Sequence, residues 1–315
     1  MTRTVLAADV GGTNIRIAVV DRAGRILSRE KKRTFFSGIR HSSPEEAEAW
    51  ILDSLLTPLK KMRALFPEAE AAGIGFPGFF EGLSGLLASS PNLPMLENVD
   101  LSSVLSNRLD LPVLVQNDAL TAAIGEFHFG SNEEHESLIH LTLGTGVGGG
   151  LIIGNSPYPG DGGMAMEIGH LQVEKNGRLC GCGGNGCLET YASASAVAAR
   201  YAEASGKTGE DAQGVYQRAL DGNKVARKII EEAGSYLGMA LAETVKILDV
   251  RNISISGGLT AAWSMLLPPM QSSLQEKLIP PLRKQVSVSL SSLGDYAGLL
   301  GASVLAFDNI LERDG

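Results

Sequence analysis

The sequence has no block of basic residues. Lys and Arg number 27 against 35 Asp and Glu, a formal net charge of −8. A surface built to grip nucleic acid or an anionic membrane is therefore not expected. No apolar run approaches the length that spans a bilayer. The opening stretch "TVLAADVGG" meets Asp9 too early to form the core of a secretion signal. No low-complexity tract or long linker interrupts the chain. The cytoplasm is the expected compartment. Cysteine is scarce as well: there are three, all within "LCGCGGNGCLE" at 179–189. In a reducing compartment such a cluster points to metal binding or catalysis rather than to disulfides.

What is present describes a globular α/β protein. The 315 residues are 44% hydrophobic and 20% charged, enough to bury a sizeable core. The length predicts two domains or one large α/β unit. Two glycine hairpins stand out. "VLAADV", Gly11-Gly12 and "IRIAVV" read as strand, turn, strand, and so does "SLIHLTLGTGVGGGLIIG". Asp9–Thr13 superposes on Thr142–Gly146 with matching flanks, which predicts an internal duplication.

Between the hairpins, residues 44–66 carry helical periodicity with Pro44 and Pro58 near its limits. "AAGIGFPGFFEG" reads as a buried strand entering a Gly/Pro loop. "LPVLVQND" reads as a strand, followed by the helix "ALTAAIGEFHFG". Residues 190–249 are mostly helical by pattern, "NISISGG" is a strand, and "AGLLGASVLAFDNILE" is an apolar helix.

Two tempting nucleotide motifs fail on context. Gly144-x-Gly146-x-x-Gly149 matches the dinucleotide fingerprint, but a strand follows it where the fingerprint needs a helix. "SGKT" at 205–208 ends like a P-loop, but Tyr201 stands where that loop needs glycine. A glycine hairpin serves phosphate differently, through main-chain N–H groups in a tight turn. Asp9 beside the first turn could hold Mg²⁺, and Thr13 adds a hydroxyl. Either hairpin alone reads as an ordinary turn; the pair together with Asp9 favours phosphate.

Cys180, Cys182 and Cys187 offer three soft ligands, and Zn²⁺ takes four in a tetrahedron. His170 in "MEIGH" is the nearest histidine to complete the set, closing the site over a "LQVEKNGR" hairpin. The competing reading is three inert thiols in a loop. Glu167 and Glu189 flank the cluster and are candidate acceptors for a polyhydroxylated ligand. Asp118, at the end of "LPVLVQND", is a candidate general base; taken alone it reads rather as an N-cap.

Together these segments resemble the ROK family of sugar kinases and repressors, on its glucokinase-type kinase branch, over nearly the whole chain. "DVGGTN" and "LGTGVGGG" resemble its two phosphate motifs, "SPNLP" and "QNDA" its sugar-contacting and catalytic segments, "ISGG" its adenosine segment, and "EIGH" with "CGCGGNGCLE" its zinc-and-sugar signature. The resemblance implies a duplicated actin-like (ribonuclease H-like) fold with an active-site cleft between two domains. The smaller would be residues 1–117 with 298–315, the larger 118–297 with the zinc loop. ATP with Mg²⁺ would sit among Asp9, Gly11, Gly12, Thr13, Asn14, Gly144, Thr145, Gly146, Gly257 and Gly258. A hexose, first of all glucose, would be held by Gly78, Asn92, Asn117, Glu167, His170 and Glu189, with Asp118 taking the proton from O6. A structural Zn²⁺ would be bound by His170, Cys180, Cys182 and Cys187, so that His170 touches sugar and metal through different ring nitrogens.

An N-acetylhexosamine (N-acetylglucosamine or N-acetylmannosamine) or fructose is the alternative substrate, and a non-catalytic sugar sensor the alternative class. Met164, Met166 and Leu120, and the absence of tryptophan from "LPMLENV", depart from the family pattern beside the sugar pocket and bear on the choice of sugar. Asp9 lies too near the start for a preceding helix-turn-helix domain, which favours the kinase branch. A homodimer is expected, with no nucleic-acid or membrane partner.

Overall fold

The computed structural model describes residues 3–12, 14–33, 43–90, 93, 95–130 and 135–311. The first sheet grows from the first hairpin. Strands β1 (Thr4–Val10) and β2 (Asn14–Asp21) pair antiparallel, and β3 (Ile26–Arg33) adds an edge. β1 is buried almost throughout because it lies between two neighbours, whereas the charged edge strand β3 is largely exposed. On the other side β4 (Ala69–Phe76) and β8 (Val113–Asn117) join in parallel. The order is β3-β2-β1-β4-β8.

The second sheet repeats this plan. β9 (Leu138–Leu143) and β10 (Val147–Ile153) form the hairpin, and β11 (Ser156–Pro157) extends it antiparallel. β12 (Asn252–Ser256) and β13 (Ser287–Leu290) add in parallel. The order β11-β10-β9-β12-β13 matches the first sheet strand for strand, so the duplication read from the hairpins extends to the whole topology. In this match Asp9, next to last in β1, corresponds to Thr142, next to last in β9. A small third sheet, β5 (Phe79–Phe80), β6 (Leu86–Ser89) and β7 (Glu97–Asp100), is inserted after β4.

Helices complete each half. α1 (Pro44–Leu65) starts with a capping box, Ser43 with Glu46, and with Pro44 at its first position. Pro58 lies well inside this helix rather than at its limit. The bond it forgoes is outweighed by a face that buries Ile51, Leu55, Leu59 and Met62. α2 (Leu101–Leu109) follows β7. The second half is covered by α4 (Glu189–Ala192), α5 (Ala194–Ser205), α6 (Ala212–Leu220), α7 (Lys224–Leu248) and α8 (Trp263–Lys277), around a core that includes Leu141, Tyr201, Leu237 and Leu266. Among the described residues no helix is long and apolar enough to cross a membrane.

Two helices join the halves. α3 (Asp118–Phe129) leaves β8 of the first sheet and leads to β9 of the second. α9 (Ala297–Ala306) follows β13 of the second sheet and packs on β1 and β4 of the first. α3 and α9 also pack on each other. Glycine permits the approach: a Cβ on Gly301 would overlap the Thr121 carbonyl, and one on Gly125 the Ala297 carbonyl.

Candidate active site

β8 delivers the first functional group. Asn117 ends the strand, and its Oδ1 accepts from the Leu120 amide at 2.9 Å, so Asn117 is the N-cap of α3. Asp118 is the first helical residue, and the N-cap explanation of that carboxylate falls away. Asp118 Oδ1 accepts from the Ala119 amide at 2.9 Å. Burial pushes its pKa up to about 7; the negative charges of Asp9 and Glu167 push the same way, against the Ala119 amide. Asn117 Nδ2 donates to the Gly78 carbonyl at 3.0 Å. A Cβ on Gly78 would displace the end of the Leu87 side chain of β6 and lie 3.1 Å from the Ser89 carbonyl. Gln116, buried just behind, donates to the Gly82 carbonyl at 2.7 Å and accepts from the Asn117 amide at 2.7 Å.

β1 delivers the second carboxylate. Burial raises the Asp9 pKa, and the Arg16 guanidinium 3.1 Å away opposes the rise. Just beyond, Gly11 N–H donates to the Asn14 carbonyl at 2.8 Å and closes the first turn. In the second turn Gly144 N–H donates to the Gly146 carbonyl at 3.0 Å. The two turns face each other: a Cβ on Gly12 would lie 3.2 Å from Thr145 Oγ1. A Cβ on Gly144 would meet nothing within 4 Å, so that main chain is open to a ligand. Gly257, at φ +99°, lies against Leu143, where a Cβ would overlap the carbonyl; Gly258 faces open space. Behind both turns His140 joins β9 to β12, with Nδ1 2.6 Å from Ser254 Oγ and Nε2 2.9 Å from Ser256 Oγ. Burial holds that imidazole neutral, with its pKa lowered to about 3.

The third cluster is the cysteine loop. One ligand atom from each of His170, Cys180, Cys182 and Cys187 falls within 4.8 Å of the others. Cys182 Sγ and Cys187 Sγ are 3.7 Å apart, and His170 Nδ1 is 3.6 Å from Cys180 Sγ. A tetrahedral ion with sulfur at about 2.3 Å and nitrogen at about 2.0–2.1 Å has S–S and S–N edges of about 3.8 and 3.6 Å. The four residues therefore fit a tetrahedral metal. The intervening "LQVEKNGR" does not pair with itself. Gln172 near its start bridges to Cys187 and Leu179, just past its end, bridges to Asn185, around a turn at 174–177. Pairing both ends to residues 185–187 is what draws the cysteines together. Tyr191 supports the loop from outside, its hydroxyl accepting from the Arg178 amide at 2.8 Å.

The flanking carboxylates meet this cluster from two sides. Glu167 Oε2 is 3.7 Å from His170 Nε2, the ring nitrogen turned away from the thiols. Burial raises the Glu167 pKa, with His170 opposing. Glu189 Oε1 lies 3.0 Å from Cys180 Sγ, and a Cβ on Gly146 would lie 2.9 Å from its Oε2. Glu189 thus spans from the thiols to the second glycine turn. Met166, just before Glu167, takes the left-handed conformation at φ 67°. Its carbonyl occupies the space that a Cβ on Gly149 would need.

Most of the residues named from the sequence come together here. Asp118 feels the charges of both Asp9 and Glu167; Gly12, Thr145, Gly146 and Glu189 are contiguous; Gly78 is bonded to Asn117. Thr13 and Asn92 lie outside the described residues. Gln116, Arg16, Asp295 and Gly298 were not anticipated. Arg16 was within reach, since a hairpin whose turn is closed by Gly11 and Asn14 sets residue 16 opposite residue 9. Gly148, Gly149 and Gly150 serve packing: a Cβ on any of them would crowd α3 or the segment before His170.

The chain belongs to the ROK family, whose model matches residues 5–309. It is 34% identical over 319 residues to a glucokinase of Streptomyces coelicolor, with 96% of each chain covered. It is 32% identical over 305 residues to an N-acetylmannosamine kinase of Salmonella heidelberg, covering 96% of this chain and 98% of that one. The structure is similar to that of a ROK family glucokinase from Streptomyces griseus in complex with glucose and AMPPNP, with a TM-score of 0.81, 32% identity, and 99% and 100% of the two chains covered. The architecture is the duplicated, two-domain actin-like fold of ROK sugar kinases.

Proposed function

We propose that this chain is an ATP-dependent glucose kinase that phosphorylates O6, with Asp118 as the general base. One observation carries the reading: a carboxylate at the head of α3, with a pKa near 7, stands in the charge field of Asp9, whose glycine turn faces a second one. A base is most useful when its pKa lies near the working pH. Asp118 accepts the proton of the sugar hydroxyl as that oxygen attacks the γ-phosphorus and the bond from that phosphorus to the bridging oxygen breaks, releasing ADP. The Ala119 amide holds the carboxylate in place while it does so. Glu167, His170 and Glu189 accept or share hydrogen bonds with the remaining hydroxyls, alongside Asn92, Asn117 and the Gly78 main chain.

Main-chain N–H groups of the two turns and of Gly257–Gly258 receive the nucleotide, and Asp9 holds its magnesium. Bound magnesium supplies positive charge to the phosphate oxygens, the main electrostatic requirement of phosphoryl transfer. The tetrahedral cluster is assigned a structural zinc, which fixes the separation of Glu167 and Glu189. We take residues 1–117 with 298–315 and residues 118–297 as the two closing domains of a cytoplasmic homodimer.

The relatives named glucokinase support glucose as the substrate. The relative named N-acetylmannosamine kinase supports a second reading, in which the pocket takes an N-acetylated hexosamine. Coupled ATP turnover with glucose, fructose, mannose, N-acetylglucosamine and N-acetylmannosamine decides between them. Glucose should have the highest kcat/KM; a higher value for an acetylated sugar establishes the second reading, and no turnover with any sugar overturns both.

A further inference from the structure

Arg16 stands directly opposite Asp9 in the β1–β2 register. Its guanidinium forks between two carboxylates. Nη1 donates to Asp9 Oδ2 at 3.1 Å, and Nη2 donates to Asp295 Oδ2 at 2.5 Å. The Asp9 and Arg16 side chains are 14% and 19% exposed, and that of Asp295 is 62% exposed. The fork therefore reaches from the interior of the site to the surface, across 279 residues of sequence. A planar guanidinium suits this task, because its donors point in fixed directions and can meet two carboxylates at once.

The duplication shows that the hairpin itself does not need the pair. In the second half the corresponding cross-strand partners are Thr142 and Gly148, which carry no charge. The other carboxylate oxygen of Asp9 faces a second element. The start of α9 approaches so closely that a Cβ on Gly298 would lie 2.8 Å from Asp9 Oδ1. Arg16 engages one oxygen, and the bare Gly298 main chain leaves room for the other. Asp9 is thus held through one oxygen by Arg16, while its other oxygen lies beside the start of α9.

We propose that Arg16, steadied by Asp295, is the positioning residue that holds the Asp9 carboxylate in the orientation used to receive the metal-bearing nucleotide. This rests on the reading of Asp9 as the residue that holds nucleotide-bound magnesium. Groups that orient a metal-binding carboxylate change metal affinity by about 10–100-fold when removed.

The test measures binding rather than turnover, by calorimetric titration of the full chain. The probes are a non-hydrolysable ATP analogue with Mg²⁺ and, separately, glucose. Arg16→Met should weaken binding of the metal–nucleotide by roughly 10–100-fold and leave glucose affinity unchanged within about twofold. Asp295→Asn should act in the same direction and by less, and the double variant should be no worse than Arg16→Met, since both act through one fork. Arg16→Lys, which keeps charge without the fork, should recover only part of the loss. Full recovery with lysine, additive losses in the double variant, or unchanged nucleotide affinity in Arg16→Met each overturn the proposal. If Arg16→Met does not fold, Asp295→Asn at the exposed end of the fork carries the test, and its unchanged nucleotide affinity overturns the proposal as well. Asp9→Ala separates the two layers. If it too leaves metal–nucleotide affinity intact, the reading of Asp9 fails; if it weakens binding while Arg16→Met does not, only the role of Arg16 fails.

Discussion

Replacing Asp118 by asparagine should stop catalysis and stabilise the protein in alkaline solution at the same time. The amide keeps the oxygen that accepts from the Ala119 N–H, so the head of α3 should not change. It cannot accept a proton, and turnover should fall by about 10²–10⁴-fold. The stability effect follows from the environment that raises the Asp118 pKa from 3.8 to about 7. Below the lower value the carboxyl is protonated in both folded and unfolded chains and costs nothing. Above the upper value the folded protein must hold a charge that its surroundings disfavour, so the wild type loses stability as pH rises through that window. Three pKa units at about 1.36 kcal/mol each set a ceiling of about 4 kcal/mol. Asp118 keeps an edge in contact with solvent, which reduces the expected difference to about 1–2 kcal/mol. Urea unfolding of both proteins at several pH values between 4 and 8 measures it. The variant should gain on the wild type steadily as pH rises, and the wild-type rate should fall on acidification through about pH 7. A stability difference that does not change with pH would refute the argument that burial and neighbouring charges tune this group. Substantial turnover in the variant would refute its role as base.

Cys182→Ser should release the metal and weaken glucose binding by about tenfold or more, because acceptors that drift by an ångström lose their geometry. Elemental analysis should find one zinc per wild-type chain, with sulfur at about 2.3 Å by X-ray absorption; glucose affinity that survives zinc loss would detach the loop from the sugar site. Gly301→Ala and Gly144→Ala should separate packing glycines from ligand-facing ones. The first drives a methyl into the Thr121 carbonyl and should cost about 1–3 kcal/mol or more of stability. The second adds a methyl to open space, so stability should hold within about 0.5 kcal/mol while affinity for the ATP analogue falls. Equal stability losses in the two variants would contradict this division.

The architecture was largely legible because each half opens with a hairpin whose glycines interrupt otherwise apolar strands. The match of Asp9–Thr13 to Thr142–Gly146 predicted a duplication, and the two sheets share one strand order. Asp118 was legible as a candidate base but not as a choice, since a carboxylate at a strand end also makes a good cap. Only the bond from the Leu120 amide to Asn117 assigns the cap to the neighbour. The third sheet escaped notice because strands of two to four residues show no alternation. The pairing inside the cysteine loop escaped for the same reason: two isolated bridges do the work of a hairpin. The partners of Asp9 were hidden by distance along the chain, as Asp295 and Gly298 reach it only once α9 has packed against β1. Likewise, Gly148–Gly150 read as an extended phosphate motif until the approach of α3, and of Met166 and Ile168, shows why no side chain fits.

The exchange of helices between the halves has a consequence for how the protein is made. The first sheet leaves the ribosome early, but the helix that covers β1 and β4 does not emerge until residues 297–306 have been synthesised. Until then Ala7, Ala18 and Val20 lack Leu299, Leu300 and Ala302, and Gly73 lacks the Ala302 carbonyl that fills the space beside it. The N-terminal half is thus born first and finished last. A nascent chain halted after β13 should hold a completed second core beside a first sheet with one bare apolar face, the kind of surface that chaperones and aggregation compete for. A defect in α9 should therefore do its damage in the half of the protein made longest before it.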